Sequence, residues 1–314
     1  MSTNPYASDA SSHSIRPIVP ADLEIIREID RDAFETYRRE HRQLKHNLQL
    51  RSLENMDAAV RRENPGVVIE WPSGHVVGYC FTHIWGSLGW LGTLGIAPRY
   101  QGFGLGRAIV AAGLDVLRQN CCRILALETM PESGKNLALY TRLGLEARQL
   151  TLLCQGSPRA APQTHFEIWS EGRVLRDIAS CLLPDLDPTP AAKWLIQEEA
   201  GETLIWWANG TPVAFAALRA LPRRLESMQA FLTVEAAACL PEFAHLWPSY
   251  LSEMQTYARS QGKIGVVLPV NARQTHLLHA TLDAGLQIVH TRVQMASGDP
   301  IGAPDAILMM TLAM

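Results

Sequence analysis

Apolar residues recur along this chain in two rhythms, every second position and every third or fourth, and the changes of rhythm predict the elements. A short strand over residues 15–19 precedes a helix that Asp22 caps or charges at its start and that runs through Phe34, with Leu23, Ile26, Ile29 and Ala33 as its apolar stripe. Residues 37–64 read as a second helix crowded with charge, including Arg38, Arg39, Glu40, His41, Arg42, Lys45, His46 and Arg51. That face is a solvated one, or one that offers one or two residues to an acidic group of a substrate. Alternation returns in 67–71 and 75–85, joined as a hairpin by Pro72-Ser73-Gly74, and a turn at Gly86-Ser87 leads to a strand over 90–96. Ala97-Pro98 stops it, because proline cannot donate to a sheet ladder. A helix over 107–119 follows, with Ile109, Val110, Gly113, Leu114 and Leu117 at helical spacing, then a strand over 123–129, a helix ending in 139–145 and a strand over 150–154.

Residues 155–163, with Gly156, Pro158 and Pro162 among small residues, have linker composition and place a boundary near Ala160. Beyond it the order of elements repeats. Helices over 174–183 and 191–200 precede strands over 203–207 and 213–218 that meet at Asn209-Gly210. A strand over 228–234, a helix over 243–260, a strand over 264–269, a helix over 274–284 and two final strands complete the chain. Thr281-x-x-x-Gly285-Leu286 echoes Tyr140-x-x-x-Gly144-Leu145. The predicted organisation is a tail over 1–14, one α/β unit over 15–160 and a second over 161–314.

Between the strand over 90–96 and its helix lies Gln101-Gly102-Phe103-Gly104-Leu105-Gly106-Arg107. Glycines at alternate positions remove the side chains that would hold a phosphate away and let backbone N–H groups converge, and the following helix adds the positive end of its dipole. A pyrophosphate fits such a loop. Arg107-Ala108 after the last glycine excludes a Walker loop, and the glycine spacing matches no dinucleotide fingerprint. In the second half, the stretch between Val234 and Phe243 contains no glycine and carries Glu235 and Glu242, so no such anion site is expected there.

Gln101-x-x-Gly104-x-Gly106, preceded by Leu94-x-Ile96-x-Pro98 and followed by the strand Arg123–Thr129 and by Leu139-Tyr140-Thr141-Arg142-Leu143-Gly144-Leu145, resembles the acetyl-coenzyme A signature of the GCN5-related N-acetyltransferases. The resemblance covers roughly residues 15–153 and departs at Ser133, where the family more often has asparagine. It implies tandem acetyltransferase-like domains, each a mixed, mostly antiparallel sheet flanked by helices, with a degenerate second copy that does not hold coenzyme A. It also implies acetyl-CoA as cosubstrate, contacted by Leu94, Gly95, Ile96, Gln101, Gly102, Phe103, Gly104, Leu105, Gly106, Arg107, Ser133, Asn136 and Tyr140, and no metal.

Composition narrows the partners. The chain has 314 residues, 47% of them hydrophobic and 19% charged, which suits two globular cores. A net charge of −3 provides no field to draw nucleic acid or an anionic membrane. Six cysteines show neither zinc spacing nor a secreted framework, and the vicinal pair Cys121-Cys122 reads as small residues closing a helix. The polar residues 1–14 lack a signal peptide's apolar core, and no run approaches ~20 apolar residues, so a soluble, cytoplasmic protein is expected. Oligomeric state leaves no trace in the sequence.

The expected reaction is transfer of an acetyl group to a primary amine of a small molecule or peptide. The amine must lose its proton to attack: at an ordinary pKa of ~10.4 only about one molecule in 10³ is neutral near pH 7.4. In the resembled family a backbone N–H of the fourth strand, here Leu94 or Ile96, holds the developing negative oxygen, and a tyrosine, here Tyr140, protonates the departing thiolate. Without the preceding loop, Tyr140 reads as a helix aromatic in the core. The strand over 90–96 carries no acid, which leaves His83, Glu128 or a water relay to take the amine's proton. The same lack keeps open a non-catalytic acyl-CoA-binding or regulatory protein, and a longer acyl donor is a further possibility.

Overall fold

The alternating strands of the first half fold into hairpins around one strongly curved sheet. In chain order the elements are β1 (Ser14–Pro17), α1 (Leu23–Glu40), β2 (Gly66–Glu70), β3 (Val76–Trp85), β4 (Leu88–Ile96), α2 (Leu105–Gln119), β5 (Ile124–Thr129), α3 (Gly134–Arg142) and β6 (Glu146–Gly156). The second half contributes β7 (Phe166–Ile168), α4 (Gly172–Leu182), α5 (Thr189–Gln197), β8 (Gly201–Ala208), β9 (Thr211–Arg219), β10 (Phe231–Cys239), α6 (Trp247–Ser260), β11 (Gly265–Asn271), α7 (Thr275–Asp283), β12 (Gln287–Ser297) and β13 (Ile307–Met310). The computed structural model describes residues 13–41, 50–53, 56, 60, 66–157, 165–169, 172–221, 230–298, 301–303 and 305–312. The boundary near Ala160 and most of the helix expected over 37–64 lie outside these residues.

All thirteen strands join one sheet, in the order β1-β2-β3-β4-β5-β12-β6-β11-β10-β9-β8-β7, with β13 against β10. The fold is mixed α/β with a largely antiparallel sheet flanked by helices. Its middle is an exchange: β12, from the second half, lies between β5 and β6 of the first, and β6 lies between β12 and β11 of the second. The two closing strands have equal length, and Thr151 faces Arg292 where an approximate two-fold axis passes between them. β12 takes the place beside β6 that a hairpin partner would fill.

Two cores flank the first half. On one face Ile109, Val110, Leu114 and Leu117 of α2 pack on Val67, Cys80 and Leu91. On the other, Ile26 and Ile29 of α1 pack on Val68, Tyr79 and Phe81. A third core fuses the halves, because Trp85, Leu88, Trp90 and Ile124 are buried together with Leu175, Ile178 and Leu195 of α4 and α5 and with Phe215 of β9. At about 1.5–3 kcal/mol for each fully buried large apolar side chain, this shared core resists separation of the two halves.

Four local expectations change. The first helix continues past Phe34 to Glu40, because Thr36, Tyr37 and Arg38 contain neither glycine nor proline to end it. Asp22 makes no side-chain cap hydrogen bond to α1 and serves instead as the third residue of the 3-10 turn Pro20–Asp22. It accepts from Arg16 Nη1 and Nη2 at 2.7 and 2.8 Å and from the Val19 N–H, which ties β1 to α1. The strand expected to end at Val234 runs on as β10 to Cys239, since the small apolar residues 236–239 pair with β9 on one side and β13 on the other. The stretch that corresponds to the glycine loop is therefore the 3-10 turn Pro241–Leu246, and Glu235 lies in the strand. The short strand β7, which no alternation announced, pairs with β8.

Candidate active site

β4 and β5 run parallel only from Leu88 to Trp90, opposite Ile124 to Ala126, and then diverge. Beyond the split, β4 pairs with β3 alone. The Ala97 N–H donates to the Val77 carbonyl, and residues of an antiparallel strand alternate in the direction of their hydrogen bonds. Leu94 and Ile96 therefore turn their backbone groups into the gap beside β5. The Ile96 carbonyl accepts from Gln101 Nε2 at 3.0 Å, which pins the loop to the edge of the gap.

The loop meets the gap at its open end. Gly102 and Gly104 have φ of 88° and 82°, where side chains other than glycine are strained, and a Cβ on either would meet no atom within 4 Å. Gly104 is the N-cap of α2. Open space over two left-handed glycines at a helix N-terminus is what close approach of a diphosphate requires, so the residues present fit a coenzyme A.

A cavity of about 960 Å³ extends from this loop along the gap and out over the middle of the sheet. It brings together most of the residues singled out by sequence: Leu94, Gly95, Ile96, Gln101, Gly102, Gly104, Gly106, Arg107, Glu128, Ser133, Asn136 and Tyr140 all line it. Phe103 and Leu105 do not. Phe103 packs edge-on to Trp71 with ring centroids 5.8 Å apart, and Leu105 is buried in the core. His83 is also outside the lining: it is buried and stacked on Trp90 at 4.9 Å. Its Nε2 lies directly behind Gly92, where a Cβ would collide with it.

Tyr140 stands on α3, buried at the side of the gap, and burial pushes its phenol above the ordinary value, with the Cys80 thiol beside it adding to the shift. The phenol therefore keeps its proton across the physiological range. Glu128 has no exposed side-chain surface and is held from two sides, by Thr151 Oγ1 at 2.6 Å and by Arg292 Nη1 at 3.1 Å. Arg292 comes from the exchanged strand. So does His290, two residues before it, which lines the same cavity. Partial desolvation and then Arg292 lower the His290 pKa below its usual value of 6.5.

Sequence reasoning passed over Arg292 and His290, along with Arg219, Thr311 and Leu312, which also line the cavity. The alternation in 291–295 marks a strand with one polar face. Nothing local announces that this face lies beside β5.

The acetyltransferase (GNAT) family matches residues 23–145. Over a wider span, a putative acetyltransferase from Pyrococcus horikoshii has a similar structure, with a TM-score of 0.70 at 14% identity, covering 96% of this chain and 95% of that one. A GCN5-related N-acetyltransferase from Sphaerobacter thermophilus superposes with a TM-score of 0.62 at 15% identity, covering 93% and 98%. A tandem GNAT protein from the clavulanic acid biosynthesis pathway does so with 0.57 at 12% identity, covering 92% and 100%. The chain therefore has a tandem GNAT fold. Among curated proteins, the mycothiol acetyltransferase of Arthrobacter sp. (strain FB24) is 30% identical over 79 residues, 23% of this chain and 24% of that protein, so the match spans about a quarter of the relative's length.

Among the described residues no group of three or more His, Cys, Asp or Glu could hold a metal ion. Among them, too, no helix is long and apolar enough to cross a membrane. The vicinal thiols are free. Cys121 is exposed, whereas burial pushes the Cys122 thiol up to about 11.

Proposed function

We propose that this protein is an acetyl-CoA-dependent N-acetyltransferase whose single donor site is the β4/β5 gap and whose acceptor is a primary amine of a small molecule or peptide. One observation carries the reading: the backbone of Leu94 and Ile96 turns into a gap that ends on a left-handed glycine loop at a helix N-terminus. Residues 102–107 would hold the diphosphate, and the edge of β4 would hold the pantetheine amides. The coenzyme supplies an activated acetyl thioester.

The chain's own groups divide the remaining work. The Leu94 or Ile96 N–H donates to the carbonyl oxygen as negative charge develops on it, a contribution of about 3–4 kcal/mol where such donors have been removed. Tyr140 donates its phenolic proton toward the sulfur side of the gap. His290, an exposed ring whose pKa partial desolvation and Arg292 hold below the usual value, accepts the amine's proton. Glu128 is tied to Thr151 and Arg292 and orients the wall.

The test is release of free thiol from acetyl-CoA in the presence of a panel of primary amines, together with calorimetric titration of coenzyme A. Binding and turnover support the reading. Binding with no turnover on any amine would instead support an acyl-CoA-binding protein, and no binding removes both.

A further inference from the structure

The part of the cavity farthest from the glycine loop is built by the second half, and its residues fall into register. His290 on β12 faces Leu153 on β6, and Leu153 faces Pro269 on β11. Two residues before Pro269 on the same face, Val267 faces Thr233 on β10, and Thr233 faces Arg219 on β9. All six line the cavity. They form a trough across five strands, polar where it leaves Tyr140 and Glu128, apolar in the middle and closed by a guanidinium. Four inter-strand steps make its length roughly 19 Å along the sheet.

Arg219 is set up to meet an anion. Its side chain is only 6% exposed. Nε donates to Glu235 Oε1 at 2.5 Å and Nη1 to the Leu221 carbonyl, which fixes the group from behind, and among the described residues Nη2 has no partner. A guanidinium fixed through two of its nitrogens presents the N–H groups of the third to an oxyanion in a set direction.

Resting on the transferase reading above, we propose that the acceptor is an elongated amine with an apolar spine and a terminal carboxylate or phosphate, the amine at His290 and the anion at Arg219. An acceptor of this shape fills the trough, with a neutral imidazole at its amine end and a guanidinium at the other. A short amine reaches the reacting centre and leaves the trough unused.

The experiment measures KM and kcat for straight-chain ω-amino carboxylates of increasing length, the matching ω-amino phosphates, and neutral alkylamines of the same lengths. The expected result is that KM falls with length for the anionic series, by at least tenfold relative to the neutral amine of equal length at the optimum. The carboxylate and phosphate arms identify which oxyanion the site takes. Arg219→Gln should remove that anionic advantage in KM. Because the lone change takes a cation away from the buried Glu235, the pair Arg219→Gln with Glu235→Gln is measured beside it, with a folding check by circular dichroism. Equal KM for anionic and neutral acceptors in the wild-type protein, or an anionic advantage that survives in the folded double variant, overturns the proposal. Neither result touches the transferase reading, which stands or falls on thiol release with any primary amine.

Discussion

Past Trp90, β4 leaves β5, and past Thr233, β10 leaves β11 in the same way. The two gaps occupy equivalent places about the approximate two-fold axis, and each opens onto a strand that ends in a proline followed by a 3-10 turn, at Pro98 and Pro241. What lies inside differs. In the second half β13 fills the gap, pairing Ile307–Met310 against Cys239–Ala236, and the Thr311 N–H donates to the Glu235 carbonyl. Gln274, buried at the start of α7, donates its amide to the carbonyls of Ala306 and Leu308 at 2.5 and 3.3 Å. Ser133 holds the corresponding place before α3 and lines the open cavity instead. A buried backbone donor must find an acceptor. The second half meets that demand with its own chain, so the first half is the one whose strand edge is available to a ligand.

The comparison can be broken most directly at the α3 and α7 tyrosine-threonine pair. Tyr140→Phe is expected to lower kcat by about 10²–10⁴-fold with coenzyme A affinity preserved, as steady-state kinetics and calorimetry would show. Unchanged turnover at saturating donor would take the phenol out of the chemistry. The pH dependence comes next. With the His290 pKa below its usual value, the neutral base prevails at pH 7, and kcat falls as pH drops through that depressed value and protonates the ring. His290→Gln should flatten this acid limb and lower the plateau by about 10²-fold.

Gly104→Val should weaken coenzyme A binding by about 10²-fold, or ~2.7 kcal/mol, by straining a left-handed position and filling the space over the loop. Glu242→Gln, in the corresponding turn of the second half, should leave the same titration unaltered. Gln274→Ala sharpens the other side of the comparison: it leaves the Ala306 and Leu308 carbonyls without their donor and should cost about 1–3 kcal/mol of stability in denaturant unfolding, with coenzyme A affinity unaffected. The smallest effect is expected at the helix position matching Tyr140. Thr281 spends its hydroxyl on the Leu277 carbonyl, and Thr281→Val should change stability by less than ~1 kcal/mol and kcat not at all.

Much of the candidate site could be read from the chain because it is local. The strand stop at Ala97-Pro98, the alternate glycines 102, 104 and 106 and the helix behind them lie within one stretch, and backbone geometry there follows from residue type. The wall opposite was not legible. His83 has the chemistry of a base and belongs to the right hairpin, but its side chain points behind Gly92, a matter of strand face and of the bulge between Cys80 and Thr82 in the β3–β4 register. Arg292 and His290 are distant in sequence from Glu128, and only the exchange of β12 into the first half brings them together. The two carboxylates between Val234 and Phe243 were visible, but their separation into strand and turn depended on β13 arriving to extend β10.

The sequence by itself determined the periodic elements, the duplication of their order and the loss of the glycine loop in the second copy, since each depends on residues near one another in the chain. Tertiary structure alone decided that the halves share one sheet, that β13 closes one gap while the other stays open, and that the second half walls the cavity of the first. Those outcomes depend on which strand edge each backbone donor meets, and hydrogen bonding across a sheet is blind to distance along the chain.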